Sequence, residues 1–285
     1  MLSTAAKVRI AQALYLLQKV VRGPFGGRDL VRVKRRAVIW DLDLREGIDL
    51  TIYLRGAFEP DTLAAIEALV RPGDTVLDIG ANIGAHTLHL ARLVGEKGQV
   101  IAFEPTDFAI AKLRANLHAN PELEPRVVIH QGFLVADASA TAVPPIASSW
   151  PVDGTVPDDA LMASRSMAVS GATAMTLDAV MAAAGRPTVH VIKMDVDGHE
   201  LEVLEGARRL LSEQTPIIVM ELAPYVFNPP EEFDAMVDLL TGLGYVFEPL
   251  GSSQVLPSAL GSLRASIPRH GSVNVVARPK GRKNR

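Results

Sequence analysis

The 285-residue chain has no cysteine. That excludes disulfides, thiolate zinc sites and cysteine nucleophiles, and it suits a reducing compartment, so a cytoplasmic protein is expected. No run of about 18 uncharged apolar residues occurs, which excludes a membrane-spanning helix from the expected elements. A secretory signal is not expected either, because the N-terminal apolar region is interrupted and no clear small-residue cleavage site follows. The Asn/Asp-Pro-Pro-aromatic signature that grips a flipped base is also missing, since the NPP at 228–230 is preceded by Phe227 and followed by Glu231. Nucleic acid is therefore not the expected acceptor, although the basic ends could touch phosphates. The net charge of −3 conceals an asymmetry. Residues 1–36 hold nine Lys/Arg against Asp29 alone, and residues 278–285 add five more with no acid, so the middle carries 15 basic and 31 acidic residues.

With 48% hydrophobic composition the chain can bury a large core, and one α/β domain with additions is the default. The organising stretch is VLDIGANIG at 76–84. A short apolar run bounded by glycine reads as a buried parallel strand. Gly80 and Gly84 let the backbone turn tightly and approach a ligand, and the helix that follows aims free N–H groups at it. Asp78 and Asn82 belong to the same cradle. Glu104 ends the next apolar strand, where an acid accepts hydrogen bonds from both ribose hydroxyls of an adenosine-containing cofactor. The loop lacks the three-glycine spacing that admits a pyrophosphate, so S-adenosylmethionine is favoured over NAD. Further on, Phe133 is placed to flank the adenine and Asp137 to bond its amine.

Around this cradle the sequence predicts a helix over 4–21, with Gly23-Pro24 stopping it. That helix either packs on its own domain or lies on an anionic membrane or a partner. Residues 26–36 read as a basic linker. Runs 37–44 and 48–54 read as a β-hairpin turned at Arg45-Glu46-Gly47. A helix over 59–70 follows. Core strands are expected at 99–103, 127–131, 189–194, 216–221, 245–249 and 272–277, with helices at 85–94, 107–120 and 231–243 and one continuing past Leu201 and Leu210. Residues 138–171 show no sustained period and read as a structureless cover over the site, anchored by Trp150. The division is thus 1–36 as basic helix and linker, 37–279 as the main domain, and 280–285 as a basic tail.

A second chemical centre lies at 193–200. Asp195 ends an apolar strand and faces the cofactor across the switch point of the sheet. Lys193 shares its parity; inside an apolar strand it is costly unless paired. Glu221 ends a neighbouring strand on the same edge. Asp-x-Asp-Gly after an apolar strand also fits an aspartate-nucleophile phosphatase using Asp195 and Asp197. That alternative leaves the glycine cradle unexplained.

Several pieces together, in order, carry a resemblance: FEP at 58–60, VLDIGANIGAHTL at 76–88, FEP at 103–105, NLHAN at 116–120, TLDAV at 176–180, VIKMDVDGHELEVLEGA at 191–207 and VMEL at 219–222. The chain resembles the FkbM-type S-adenosylmethionine-dependent methyltransferases over roughly residues 40–278. The resemblance implies a Rossmann-like class I methyltransferase fold, α/β with a seven-stranded mostly parallel sheet, helices on both faces and the last strand antiparallel. It also implies O-methylation of a hydroxyl on a sugar, polyketide or other small natural product. The chain departs from the family's usual D-V-E-G-A-E by carrying Asp197 and His199. Histidine adds a base that titrates near neutral pH, so His199 is the first candidate base, with Lys193 and Asp195 as alternatives. In a second version, not favoured, Asp195, Asp197, Glu200 or Glu221 hold Mg²⁺; a lining that attracts a sulfonium explains the same acids. His86 is read as packing or cofactor-adjacent. A methyltransferase-like scaffold without turnover is the non-enzymatic alternative.

Overall fold

The computed structural model describes residues 4–23, 27–137, 139, 146–149, 151–154, 165–252 and 254–281. The N-terminal extension comprises α1 (Thr4–Arg22), β1 (Leu30–Arg35), β2 (Val38–Asp43) and α2 (Gly47–Arg55). Next come α3 (Pro60–Leu69), β3 (Thr75–Ile79), α4 (Thr87–Val94), β4 (Gln99–Phe103), α5 (Asp107–His118) and β5 (Val127–His130). Short strands β6 (Gly132–Leu134), β7 (Ile146–Ser149), β8 (Arg165–Met167) and β9 (Thr173–Met175) lead to α6 (Leu177–Ala183) and β10 (Val189–Met194). The chain continues with α7 (Glu200–Glu205), α8 (Arg208–Gln214), β11 (Ile217–Leu222), α9 (Glu231–Gly242), β12 (Tyr245–Pro249), α10 (Leu260–Ser266) and β13 (Val273–Pro279).

Seven strands form one sheet in the order β12-β13-β11-β10-β3-β4-β5. The pairs from β11 through β5 are parallel, and β13 runs antiparallel to both its neighbours. This is the mostly parallel, Rossmann-like sheet expected. Its strands are apolar on both sides because both faces are covered. Val76, Val100, Val191 and Val219 pack with Leu88 and Leu113 in one layer. Leu77, Ile101, Ile192 and Ile218 pack with Leu204 and Phe233 in the other. Each such buried side chain stabilises by roughly 1.5–3 kcal/mol. Asp78 and Lys193 share the parity of Val76 and Val191, so they lie in the first layer, and they are partners in register. From β3 the chain steps through β4 and β5 to one side; β10 and β11 lie on the other. The switch point between β3 and β10 opens a crevice at the strands' carboxyl ends.

Three expectations are corrected. The hairpin is β1–β2, one element earlier than expected, and residues 48–54 are helical. Asp49 in the first turn and Gly56 as a left-handed cap favour that helix. Packing then buries Ile48, Asp49, Leu50 and Ile52 together, which a strand with one wet face could not do. Second, the helix after Asp197 breaks at Gly206-Ala207 into α7 and α8. There a Cβ on Gly206 would lie 2.2 Å from the carbonyl oxygen of Val135. Third, the described part of 138–171 is not structureless, because β7 and β8 pair antiparallel. That stretch is docked at two points. Val152 N–H donates to the Arg45 carbonyl at 2.8 Å, and the N–H groups of Ser170 and Gly171 donate to the Asp107 carboxylate, each at 3.1 Å. Trp150 and residues 282–285 lie outside the described residues. Among the described residues no helix is long and apolar enough to cross a membrane.

Candidate active site

The turn after β3 is built by its backbone. Gly80, Asn82 and Gly84 have φ of +76°, +49° and +89°, a region glycine enters freely and asparagine tolerates. Gly80 and Ala81 N–H both donate to the Phe103 carbonyl at 3.0 Å, which ties the turn to the end of β4. A Cβ on Gly80 would lie 1.9 Å from the Asp195 carbonyl oxygen, so only glycine lets the ends of β3 and β10 meet. Gly84 instead makes room for Leu88 and Leu113 and supports the turn from below.

Glu104 is buried at the end of β4. One carboxylate oxygen accepts from Thr106 N–H at 2.9 Å and from its hydroxyl at 2.6 Å; the other accepts from Asn82 N–H at 3.0 Å. Burial pushes this carboxyl above its ordinary range, and those hydrogen bonds pull the other way. The carboxylate is thereby fixed in orientation, with lone pairs left for a ligand's hydroxyls.

These groups border a cavity of about 200 Å³ lined by Gly80, Asn82, Glu104 and Phe133 on one side. Lys193, Asp195, Asp197 and His199 line the other. Of the residues singled out from sequence, Asp78 and Gly84 lie beneath this lining. Asp137 lies away from it, exposed, accepting from Ser139 N–H at 3.0 Å and from its hydroxyl at 2.8 Å. His199 meets Phe133 edge-on, with ring centroids 5.1 Å apart.

Lys193 occupies the centre. Its ammonium donates to the Gly80 carbonyl at 3.1 Å and lies 3.6 Å from Asp78 Oδ1 and 3.7 Å from Asp195 Oδ2. Burial alone would lower its pKa; Asp195, Asp78 and Glu59 outweigh that and raise it. Lys193 is therefore a charged donor, which makes it a poor proton acceptor. Asp78 Oδ2 accepts from the Thr87 hydroxyl at 2.6 Å, joining β3 to the first turn of α4. Around this cation the acids crowd. Burial, then Asp195, pushes the Glu59 carboxyl up to about 7. Burial chiefly raises Glu200 to about 7 as well. Asp197 is pushed up to about 8 by the surrounding protein and then by Asp195, Glu200 and Glu221. Its side chain is accessible and lines the cavity.

One group escaped the sequence reading. Glu59 sits at a left-handed backbone position (φ 43°) before α3 and accepts from the Thr62 hydroxyl at 3.2 Å. With Lys193, Asp195 and Glu221 it lines a recess of about 10 Å³, room for one water. The signal was the FEP at 58–60, in which the glutamate reads as a helix start. His86 also lines the main cavity. It is buried, its Nε2 has no hydrogen-bond partner among the described residues, and burial followed by Lys193 keeps it neutral by holding its pKa well below the ordinary value. Among the described residues no three His, Asp or Glu side chains are grouped to hold a metal ion.

Residues 78–247 match the family described as the Methyltransferase FkbM domain. Hexuronic acid methyltransferase AglP of Haloferax volcanii is 28% identical over 171 residues, which are 58% of this chain and 62% of that protein. The chain thus spans less than two thirds of that curated relative's length. Among solved structures, methyltransferase FkbM from Methylobacillus flagellatus KT is 17% identical with a TM-score of 0.45, over 75% of this chain and 50% of that one. A SAM-dependent O-methyltransferase from Thermotoga maritima is 16% identical with a TM-score of 0.42, over 93% of this chain and 83% of that one.

Proposed function

The chain belongs to the FkbM methyltransferase family, and on that premise we propose that it methylates a hydroxyl oxygen of a sugar or other small natural product, using S-adenosylmethionine. The observation that carries this reading is the convergence on one cavity of Glu104 from β4 with Lys193, Asp195 and His199 from β10 and the turn beyond it. The residues present fit the cofactor. Glu104 would accept from the ribose hydroxyls, the Gly80–Asn82 turn would let the amino-acid end approach the backbone, and Phe133 would cover the adenine. Asp195 would face the sulfonium, an attraction strengthened by the low dielectric of a closed site. Bound there, S-adenosylmethionine supplies an electrophilic methyl group.

The protein's own residues orient the acceptor and take its proton. Lys193, fixed as a cation, donates to the acceptor oxygen and holds it in line. Asp195 is already engaged by Lys193, so His199 is assigned the proton that the acceptor hydroxyl gives up. The name of the Haloferax volcanii relative refers to a hexuronic acid, which favours a sugar acceptor. The acids around Lys193 favour a neutral sugar over an anionic one.

The test is calorimetric titration with S-adenosylhomocysteine, followed by transfer of labelled methyl to a panel of neutral hexosides and hexuronates. Glu104→Ala is expected to weaken binding by about tenfold or more, as loss of a charge-assisted bond pair requires. His199→Ala should leave binding near wild type and lower kcat by about 10²–10⁴-fold. A folded wild-type chain that binds no S-adenosylhomocysteine would sink the reading, and binding without transfer to any acceptor would point to a scaffold.

A further inference from the structure

Among its described side chains, helix α1 turns one stripe toward the body. Tyr15 and Gln18 are buried, and Ala11 packs against the first core layer. The opposite side is apolar as well. Ile10, Leu14, Leu16, Leu17, Val20 and Val21 are all exposed, from 41% at Leu14 to 72% at Val20. At 100° per residue these positions fall within an arc of about 160° centred away from Tyr15. Monomeric soluble proteins rarely leave so continuous an apolar face uncovered.

The charge on the helix decides what covers it. The sequence of α1 has no acid. By helical position, Arg9 lies within the apolar arc and Lys19 beyond its edge. Nearby Arg32 and Arg36 are paired with Asp41 and Glu67. Arg9, Lys19, Arg22 and Lys34 form no ion pair among the described residues. A second copy packed face to face would set these cations against their own kind. A bilayer with anionic headgroups offers apolar depth, negative charge and no demand for shape. Long basic side chains reach its surface while their stems remain in the apolar zone. The acidic middle of the chain, with 31 acids to 15 bases, would be repelled and so turned outward. We propose that α1 seats the protein on the surface of an anionic lipid bilayer.

The experiment is sedimentation of the full chain with vesicles made of equal parts phosphatidylglycerol and phosphatidylcholine, beside vesicles of phosphatidylcholine alone. The chain should sediment with the anionic vesicles, at least about tenfold less with the neutral ones, and less as salt rises. Leu17→Glu with Val20→Glu should lower partition by at least about tenfold with an unchanged unfolding midpoint. Arg9→Ala and Lys19→Ala should each lower it about fivefold. A wild-type chain that stays in the supernatant with both vesicles overturns the proposal, as does equal, salt-insensitive partition to both. Failure to sediment, joined to a lipid-free dimer that Leu17→Glu with Val20→Glu disperses, would instead name a second copy as the occupant.

Discussion

At the scale of single residues, the contact between Lys193 and Asp78 governs more than the chemistry above it. Asp78 is fully buried and burial pushes its carboxyl upward, against the pull of Lys193 and Thr87. Removing the lysine leaves a carboxyl deep in the sheet without its cation, the costly way to break a buried pair. Lys193→Met should therefore destabilise the fold by about 3–5 kcal/mol. Asp78→Asn should cost less, because the ammonium keeps Asp195 and the Gly80 carbonyl. The double variant should be less damaged than the two single losses added together. Urea unfolding of the four proteins measures this, and strict additivity would show that the two residues are not coupled.

At the scale of elements, Asn116 on α5 and Asn120 just past its end hold the hairpin. Asn116 Oδ1 accepts from Asp41 N–H at 2.9 Å, and Asn120 Oδ1 accepts from Ile39 N–H at 2.8 Å. Asn120 returns a bond to the Ile39 carbonyl at 2.7 Å, and Asn116 donates to the Ile83 carbonyl in the cofactor turn at 3.0 Å. Asn120→Ala leaves the Ile39 amide and carbonyl unpaired. It should cost about 1–3 kcal/mol in denaturant unfolding and speed amide exchange in β2. The core strands were legible because their valine and isoleucine runs are bounded by glycine and acids, and part of the cavity lining followed from Gly80 and Glu104. The hairpin was not. Its turn places Arg36 and Ala37 at φ of 45° and 62°, where Asn-Gly would ordinarily announce it. The alternation Val31, Arg32, Val33, Lys34 was masked by its own positive charge. Glu59 was hidden because its position depends on a backbone angle that Pro60 conceals, and Asp137 was misplaced because a loop acid satisfies itself locally.

At the scale of the molecule, Glu59, Glu200 and Asp197 together set an unusual pH dependence. Their folded pKa values of about 7, 7 and 8 lie above ordinary carboxyl values. The folded state thus holds protons that the unfolded chain releases. Their stabilising contribution is present below about pH 4.5 and is lost as pH rises toward 7–8. For buried Glu200 the loss is at most about 3 kcal/mol. Asp41 and Asp43, whose pKa values are lowered, act in the opposite sense, adding stability that disappears as pH falls below the ordinary carboxyl range. Unfolding midpoints should accordingly be highest near pH 5 and decline toward pH 8. Glu200→Gln should flatten that decline, and a midpoint that climbs steadily to pH 8 would contradict the assignment.

The position of β13 has a consequence for what counts as the minimal folding unit. Kinship is recognisable over residues 78–247, but that span begins inside β3 and stops before β13, the strand that joins β11 to β12. Excised at those limits, β12 would lose its neighbour, and the first layer would lose Trp40, Leu42 and Leu44. The segment that records ancestry is an interior piece, and the residues on either side of it complete the sheet and cover its core.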